Sequence, residues 1–455
     1  MVSCSVYRSN DPMGKPSNDI IDDDPKEKQL LKQNKKLPRL KCSVQNYDWG
    51  IIGNNSQVAR LFALNSGSDI CPNKPYAEFW IGTHESGPSF LDHGNAGFRS
   101  SLSLKSWILD NPILVLGDRV FEKWGGDLPF LLKVLSVEKA LSIQAHPDKE
   151  LARALHISQP NVYKDGNHKP EMALALTEFE ALCGFISTKE LKDVLRNVPE
   201  LEELVGGSNA EQFLYFSEQD RDAKVKAILE YIFSQLLSSS REKIFEVISK
   251  IKRRLHLEMQ ERELTDKEQL VLRLESQYPA DTGVIAAFLL NYVKLNRGEA
   301  LYLGANEPHA YIAGECIECM ANSDNVVRVG LTSKRRDIQT LLAMLEYRQG
   351  FPEILQGVSL NPYTTRYLPP LDEFEVDLSV IPRAASVVFP SVPGPSVLLF
   401  IMGRGTIAAG FSKDGKAGEG EVLFVPACTE IRITAESAEL HLYRAGVNSR
   451  FFEDL

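Results

Sequence analysis

From Arg39 to about Gly184 the chain runs in short apolar stretches broken by Gly, Pro, Asn and Asp, the pattern of strands joined by many turns. Within it, Phe130 to Val134 and Ala140 to His146 read as a hairpin closed across Ser136-Val137-Glu138-Lys139. After Gly184 the period changes. Val225, Ile228, Leu229, Ile232, Phe233 and Leu236 recur at helical spacing, as do Ile244, Val247, Ile248, Ile251 and Leu255. Ser187-Thr188-Lys189-Glu190 and Thr265-Asp266-Lys267-Glu268 each spell a capping box, in which an N-cap hydroxyl and a Glu three residues on satisfy otherwise free backbone donors. Residues 184–295 are therefore expected to form a helical domain, and His256, among Arg253, Arg254 and Glu258, reads as solvated helix surface. The β pattern returns at Arg297.

It returns with an internal echo. Gly298-Glu299-Ala300-Leu301-Tyr302-Leu303 is matched by Gly420-Glu421-Val422-Leu423-Phe424-Val425, which suggests two similar barrels. The first copy continues into Asn306-Glu307-Pro308-His309; counted without gaps, the second has Ile431 where the first has His309. Only the first barrel keeps a candidate ligand. Gly403-Arg404-Gly405 and Gly418-Glu419-Gly420 do not continue into a phosphate loop and read as turns.

The most chemistry lies between Leu141 and Glu171. In Leu141-Ser142-Ile143-Gln144-Ala145-His146-Pro147 apolar and polar residues alternate, so on a strand Ser142, Gln144 and His146 share one face. Tyr163 to Glu171 then brings a polar segment ending in a carboxylate. Imidazole and carboxylate are ordinary donors to a borderline cation such as zinc, and a Gln/His pair on a strand with a nearby carboxylate is most of a metal site. Downstream, His309 is followed by Glu315, Glu318, Asn322, Asp324, Asn325, Arg328 and Lys334, interleaved with Ile317, Val326, Val327 and Val329. Some of these polar groups must therefore face an enclosed space and need partners there.

Composition narrows the classes. The 455 residues, 43% of them hydrophobic, suffice for two or three cored domains. A net charge of -10 without a clustered Lys/Arg excess argues against nucleic acid as partner, while a small anion needs only a few local cations. Seven dispersed cysteines fit reduced thiols in the cytoplasm, and Cys316-Ile317-Glu318-Cys319 reads as buried thiols in a strand rather than a redox pair. No apolar run is of membrane-spanning length. Met1 to about Leu37, with Asp22-Asp23-Asp24, reads as a disordered extension.

Tyr163 to Glu171 is similar, position for position, to the Y-x-D-x-N-H-K-P-E signature of the type I phosphomannose isomerases, enzymes of the cupin superfamily. Ser142 to Pro147 resembles that family's S-I-Q-A-H-P, His309 to Lys334 its second signature, and Gln45 to Gly50 and Glu78 to His84 its N-terminal motifs. Val329 and Ser333 depart from it, standing where Ala and Pro are usual. The resemblance implies a mainly β fold with an α insertion. Residues 38–183 and 296–350 would form one catalytic cupin jelly-roll barrel, interrupted by 184–295, and 351–455 a second barrel without metal. It implies one zinc ion per chain, held by Gln144, His146, Glu171 and His309. The reaction implied interconverts mannose 6-phosphate and fructose 6-phosphate through a cis-enediol, in the service of GDP-mannose metabolism. Arg328 would stabilise charge, Glu318 would act as base with Lys169 assisting, and Ser142, Lys334 and Tyr311 would hold the sugar phosphate. A cytoplasmic monomer without nucleic-acid or membrane partners completes that expectation. A non-catalytic sugar-binding cupin would lack part of this set, and an iron oxygenase would seldom use Gln144 as a ligand.

Overall fold

The computed structural model describes residues 37–92, 102–206, 222–410 and 412–453. The expected extension lies outside these residues except for Leu37, which is buried against Ile381, Leu398 and Leu423. The fold is built mainly of antiparallel sheet, with helices grouped between Thr188 and Ala286. Among the described residues no helix is long and apolar enough to cross a membrane.

One strand, His309–Ala321, organises the first sheet system. Its later half pairs with Phe130–Val137 on one side and with Glu171–Ala175 on the other. Its first residues pair instead with Phe179–Phe185, and His309 stands opposite Gln144. The strand thus leaves one layer and enters a second, and it turns at Gly314. There φ is +102°, and a Cβ would lie 2.3 Å from the Glu178 carbonyl oxygen, so only glycine fits. Leu135, Ala173 and Leu301 from one layer meet Ala181, Val293 and Tyr311 from the other in a shared interior.

The C-terminal part is a sandwich of a six-stranded and a four-stranded sheet. Its strands alternate between two apolar environments. Leu398, Phe400, Leu423, Leu440 and Leu442 fill the space between its own sheets. Val397, Leu399, Val422, Phe424 and Tyr443 face outward against Phe79, Phe130, Leu132, Leu174 and Ile317 of the first sheet system. Each such fully buried side chain contributes roughly 1.5–3 kcal/mol, so the two halves are joined by core rather than by a wet interface. The echo is structural as well: Gly298 and Gly420 both have positive φ (88° and 80°) and both precede a buried strand, Ala300–Leu303 and Val422–Val425. Ile431, like His309, opens the next strand, but it is buried in an apolar interior.

Both capping boxes are formed, at Ser187 with Glu190 and at Thr265 with Glu268. The helices they open pack with Asp222–Ser238 and Arg241–Glu258 into one core. That core also takes up Ile143, Ala145, Ala310, Val327 and Val329 from the outer face of the second layer. The helical stretch ends earlier than expected: Leu290–Leu295 is a strand paired with Phe179–Phe185, because Leu290, Val293 and Leu295 complete the apolar wall there. The expected hairpin is not formed. Phe130–Val137 lies in the first layer, and Ile143–Ala145 crosses to the second to pair with His309 and Val327–Gly330, since its apolar residues are buried by the helices and not by its neighbour in sequence.

Candidate metal centre and cavity

Strand register decides which side chains meet. Residues directly opposite one another on antiparallel strands share a face. Gln144 is opposite both His309 and Arg328, so amide, imidazole and guanidinium stand in a row on the inner face of the second layer. His146, two residues on from Gln144, falls on the same side. The outer face of this layer is apolar, with Val327 and Val329 at 1% and 0% exposure, which forces Arg328 inward. From the first layer, Lys133 is opposite both Trp80 and Glu318, and Glu171 is opposite Met320. Between the layers lies a cavity of about 630 Å³, lined by Ser142, Gln144, Lys169, Glu171, Tyr311, Glu318, Arg328 and Lys334 among others.

Beside this cavity, His146, Glu171 and His309 each offer one ligand atom, and these three atoms lie within 4.8 Å of one another. Nε2 of His146 lies 3.4 Å from Oε1 of Glu171, and Nε2 of His309 lies 3.4 Å from Oε2. Neither contact is a hydrogen bond. Each ring spends its proton elsewhere: Nδ1 of His146 donates to the Asn325 carbonyl (2.6 Å) and Nδ1 of His309 to the Glu307 carbonyl (2.9 Å). Both Nε2 atoms therefore present lone pairs to a carboxylate, and these two nitrogens and Glu171 Oε2 are buried without a hydrogen-bond partner. Acceptors facing acceptors in a dry wall are stable only with a cation between them, and the carbonyl-anchored imidazole is the usual support of a metal ligand. Burial holds the His146 imidazole down at about 4, hence neutral. Burial alone would raise the Glu171 carboxyl, but the Lys169 ammonium holds it well below its ordinary value. The donor set fits zinc, with Gln144 beside it able to offer its amide oxygen.

A buried charge cluster in the first layer adjoins this set and shares Glu171 with it. Lys133 Nζ is 2.9 Å from Glu318 and 3.3 Å from Glu78, while Lys169 Nζ is 3.1 Å from Glu171. Glu78 also accepts from the Trp80 indole at 2.6 Å. Burial works against the Lys133 ammonium, yet Glu318 and Glu78 more than offset it and raise its pKa. Glu318 is raised too, although it has a lysine partner: burial, with Glu171 and Glu78 nearby, outweighs Lys133. The two shifts agree once the count is made, because three carboxylates share two ammonium groups here. Arg328 is half-buried, burial lowers its pKa, and among the described residues no carboxylate pairs with it.

Sequence reasoning passed over Lys133, Glu78 and His84. Lys133 is the single charge in Phe130–Val137, a strand buried along its whole length, and that isolation was the available signal. His84 lines the cavity and takes the Ser86 N–H on Nδ1, so its Nε2 proton points to Asp324, 3.2 Å away. Tyr311 is buried against Phe179, with its hydroxyl raised well above its ordinary value by burial and by the charges of Glu318 and Glu171. The segment from Asp165 to Glu171 is fastened to the 322–325 turn through Asp165. Its carboxylate accepts from Asn167 N–H (2.9 Å), Ser323 Oγ (2.8 Å) and Asp324 N–H (2.8 Å). Cys316 and Cys319 are both buried, on opposite faces of one strand, and cannot act as a pair.

The phosphomannose isomerase type I catalytic domain matches residues 37–188, and the helical insertion domain of the same family matches residues 204–290. The chain is 60% identical to mannose-6-phosphate isomerase 1 of Arabidopsis thaliana over 417 residues, 92% of this chain and 95% of that protein. It is 58% identical to the second Arabidopsis thaliana isomerase of that name, over 93% of this chain and 97% of the other. A crystal structure of mannose 6-phosphate isomerase bound with zinc and yttrium superposes with a TM-score of 0.75 at 28% identity, covering 91% of this chain and 100% of that one.

Proposed function

The chain belongs to the type I phosphomannose isomerases, and on that premise we propose that it interconverts mannose 6-phosphate and fructose 6-phosphate through a cis-enediol, with one zinc ion per chain held by Gln144, His146, Glu171 and His309. The observation that carries this reading is the set of buried, unpartnered donor atoms on His146, His309 and Glu171, beside a cavity that Glu171 lines together with Gln144 and with Arg328, which has no carboxylate partner among the described residues. We assign the two sheet systems to cupin-like jelly rolls. The catalytic one takes in residues 38–183 and, after a helical insertion that ends before the Leu290–Leu295 strand, the chain on to about residue 350, and 351–455 forms the one whose interior is apolar at Ile431.

Isomerisation moves a proton between C2 and C1 and a second proton between the two oxygens. A bound zinc ion supplies a Lewis acid for the carbonyl oxygen. Glu318, raised by its surroundings and set in the cavity wall, is the group that takes the carbon-bound proton and returns it to the adjacent carbon. Lys133 holds that carboxylate in place, and Lys169 does the same for Glu171. Arg328, with no carboxylate to neutralise it, faces the oxygen on which charge develops. Ser142 and Lys334 receive the phosphate, and Tyr311 offers its hydroxyl to the sugar beside Glu318. A cytoplasmic, monomeric enzyme feeding GDP-mannose metabolism is consistent with this assignment.

An isomerase assay on mannose 6-phosphate, run with metal analysis of the same preparation, tests the reading. Turnover that scales with zinc content supports it. A sugar-binding protein without turnover, or activity that follows iron and oxygen, overturns it.

A further inference from the structure

The cavity's positive charges divide into two groups. Lys133 and Lys169 are already paired with carboxylates. Arg328, Lys334 and Lys139 line the same cavity, and none of them has a carboxylate partner among the described residues. A phosphate dianion needs about two monovalent cations for its charge to be met. Arg328 stands in register with Gln144, at the metal end, which leaves Lys334 one cation short.

Both Lys139 and Lys334 sit on turns held by the end of the helical insertion. Gln277 Oε1 accepts the Ala140 N–H (3.1 Å) and the Tyr278 hydroxyl donates to the Ala140 carbonyl (2.5 Å), which fixes the backbone next to Lys139. Four residues after Gln277, the Asp281 carboxylate accepts the backbone N–H groups of Leu331 (2.5 Å) and Thr332 (3.2 Å), which fixes the turn that carries Lys334. One short segment, Gln277 to Asp281, thereby fixes both lysine-bearing turns beside the cavity that both lysines line. The Lys139 ammonium lies over the Tyr278 ring, 4.1 Å from its centroid, a support that holds the cation without neutralising it. Asp48 also lines this cavity, but makes no ion pair with Lys139.

Resting on the proposed isomerase reading, we infer that Lys139, shelved on Tyr278, is a phosphate-binding residue that acts with Lys334 on the substrate's phosphate. The helical insertion then takes part in substrate recognition through Gln277, Tyr278 and Asp281, besides covering the sheet.

The test uses the zinc-loaded full chain and its Lys139→Ala and Lys139→Gln variants, with KM and kcat for mannose 6-phosphate and calorimetric titration of inorganic phosphate. In both variants KM and the phosphate Kd should rise roughly tenfold, with kcat little changed and the thermal midpoint held, and Lys139→Arg should recover most of the loss. A phosphate Kd equal to that of the parent protein in both variants overturns the inference. The titration does not depend on turnover. A parent protein that fails to isomerise, yet loses phosphate affinity with Lys139, would refute the isomerase reading and leave this site standing.

Discussion

Lys133 and Glu318 face each other as a register pair on neighbouring strands, Nζ 2.9 Å from Oε2, with side chains 8% and 4% exposed. A buried pair of this kind fixes geometry, and removing one member strands the other's charge. Lys133 works to lower the Glu318 pKa against burial. In Lys133→Met the carboxyl should therefore rise further, so that at a given pH less of the base is ionised. The acid limb of the kcat/KM profile should move to higher pH, with a stability loss of about 3–5 kcal/mol in urea unfolding. A limb that stays in place would remove Glu318 from the role of base.

The unpartnered atoms on His146, Glu171 and His309 predict dependence on metal. Chelation should abolish isomerisation and added zinc should restore it. Because an ion that binds only the folded chain stabilises it by about 2.7 kcal/mol at a hundredfold excess over Kd, the melting temperature should fall on chelation and recover with zinc. Full activity in metal-free protein would contradict the assignment.

Arg328 separates chemistry from binding. Arg328→Ala should lower kcat by roughly a hundredfold, the size expected for losing one preorganised electrostatic partner. Zinc content should be unchanged, since the guanidinium is not a ligand. A rise in KM with kcat intact would assign Arg328 to uniform substrate binding instead.

The second sandwich offers a control for stability alone. Glu375 and Asp377 are shared by Arg366 and Arg444, with contacts of 2.7 to 3.3 Å, and the Arg444 side chain is 6% exposed. Arg444→Met leaves two buried carboxylates with one guanidinium. It should cost about 3–5 kcal/mol of unfolding free energy. The Michaelis parameters at a temperature where the variant is folded should match those of the parent protein.

What could be read from the chain depended on how local its cause is. The capping boxes at Ser187 and Thr265 are contained in four residues each, and both form. The alternation at Ser142, Gln144 and His146 exposes one face because the helices bury the other. In Phe130–Val137 both faces are buried, so alternation is erased and Lys133 gave no sign of which wall it joins. The partner of Ile143–Ala145 lies far along the chain, and proximity in sequence pointed to the wrong strand. The cluster of Glu78, Lys133 and Glu318 comes from three strands whose register only the folded sheet defines. Lys139 appeared only as a turn residue, since what gives it a role is Tyr278, which caps the end of the Asp266–Gln277 helix.

The crossing of His309–Ala321 from one layer to the other at Gly314 carries a consequence for the order of assembly. Gln144, His146 and Glu171 are synthesised before the helical insertion, and His309 after it. A chain emerging from the ribosome must therefore make the whole insertion before the strand that closes the metal wall exists, and N-terminal segments fold first during synthesis. Until then Phe130–Val137 is an open sheet edge, and Glu171–Ala175 lacks both its partner strands, Ala300–Leu303 and His309–Ala321. On the proposed ligand set, the fourth donor, His309, joins Gln144, His146 and Glu171 only once that place is filled, so full metal affinity would arise late and report that the chain has been finished.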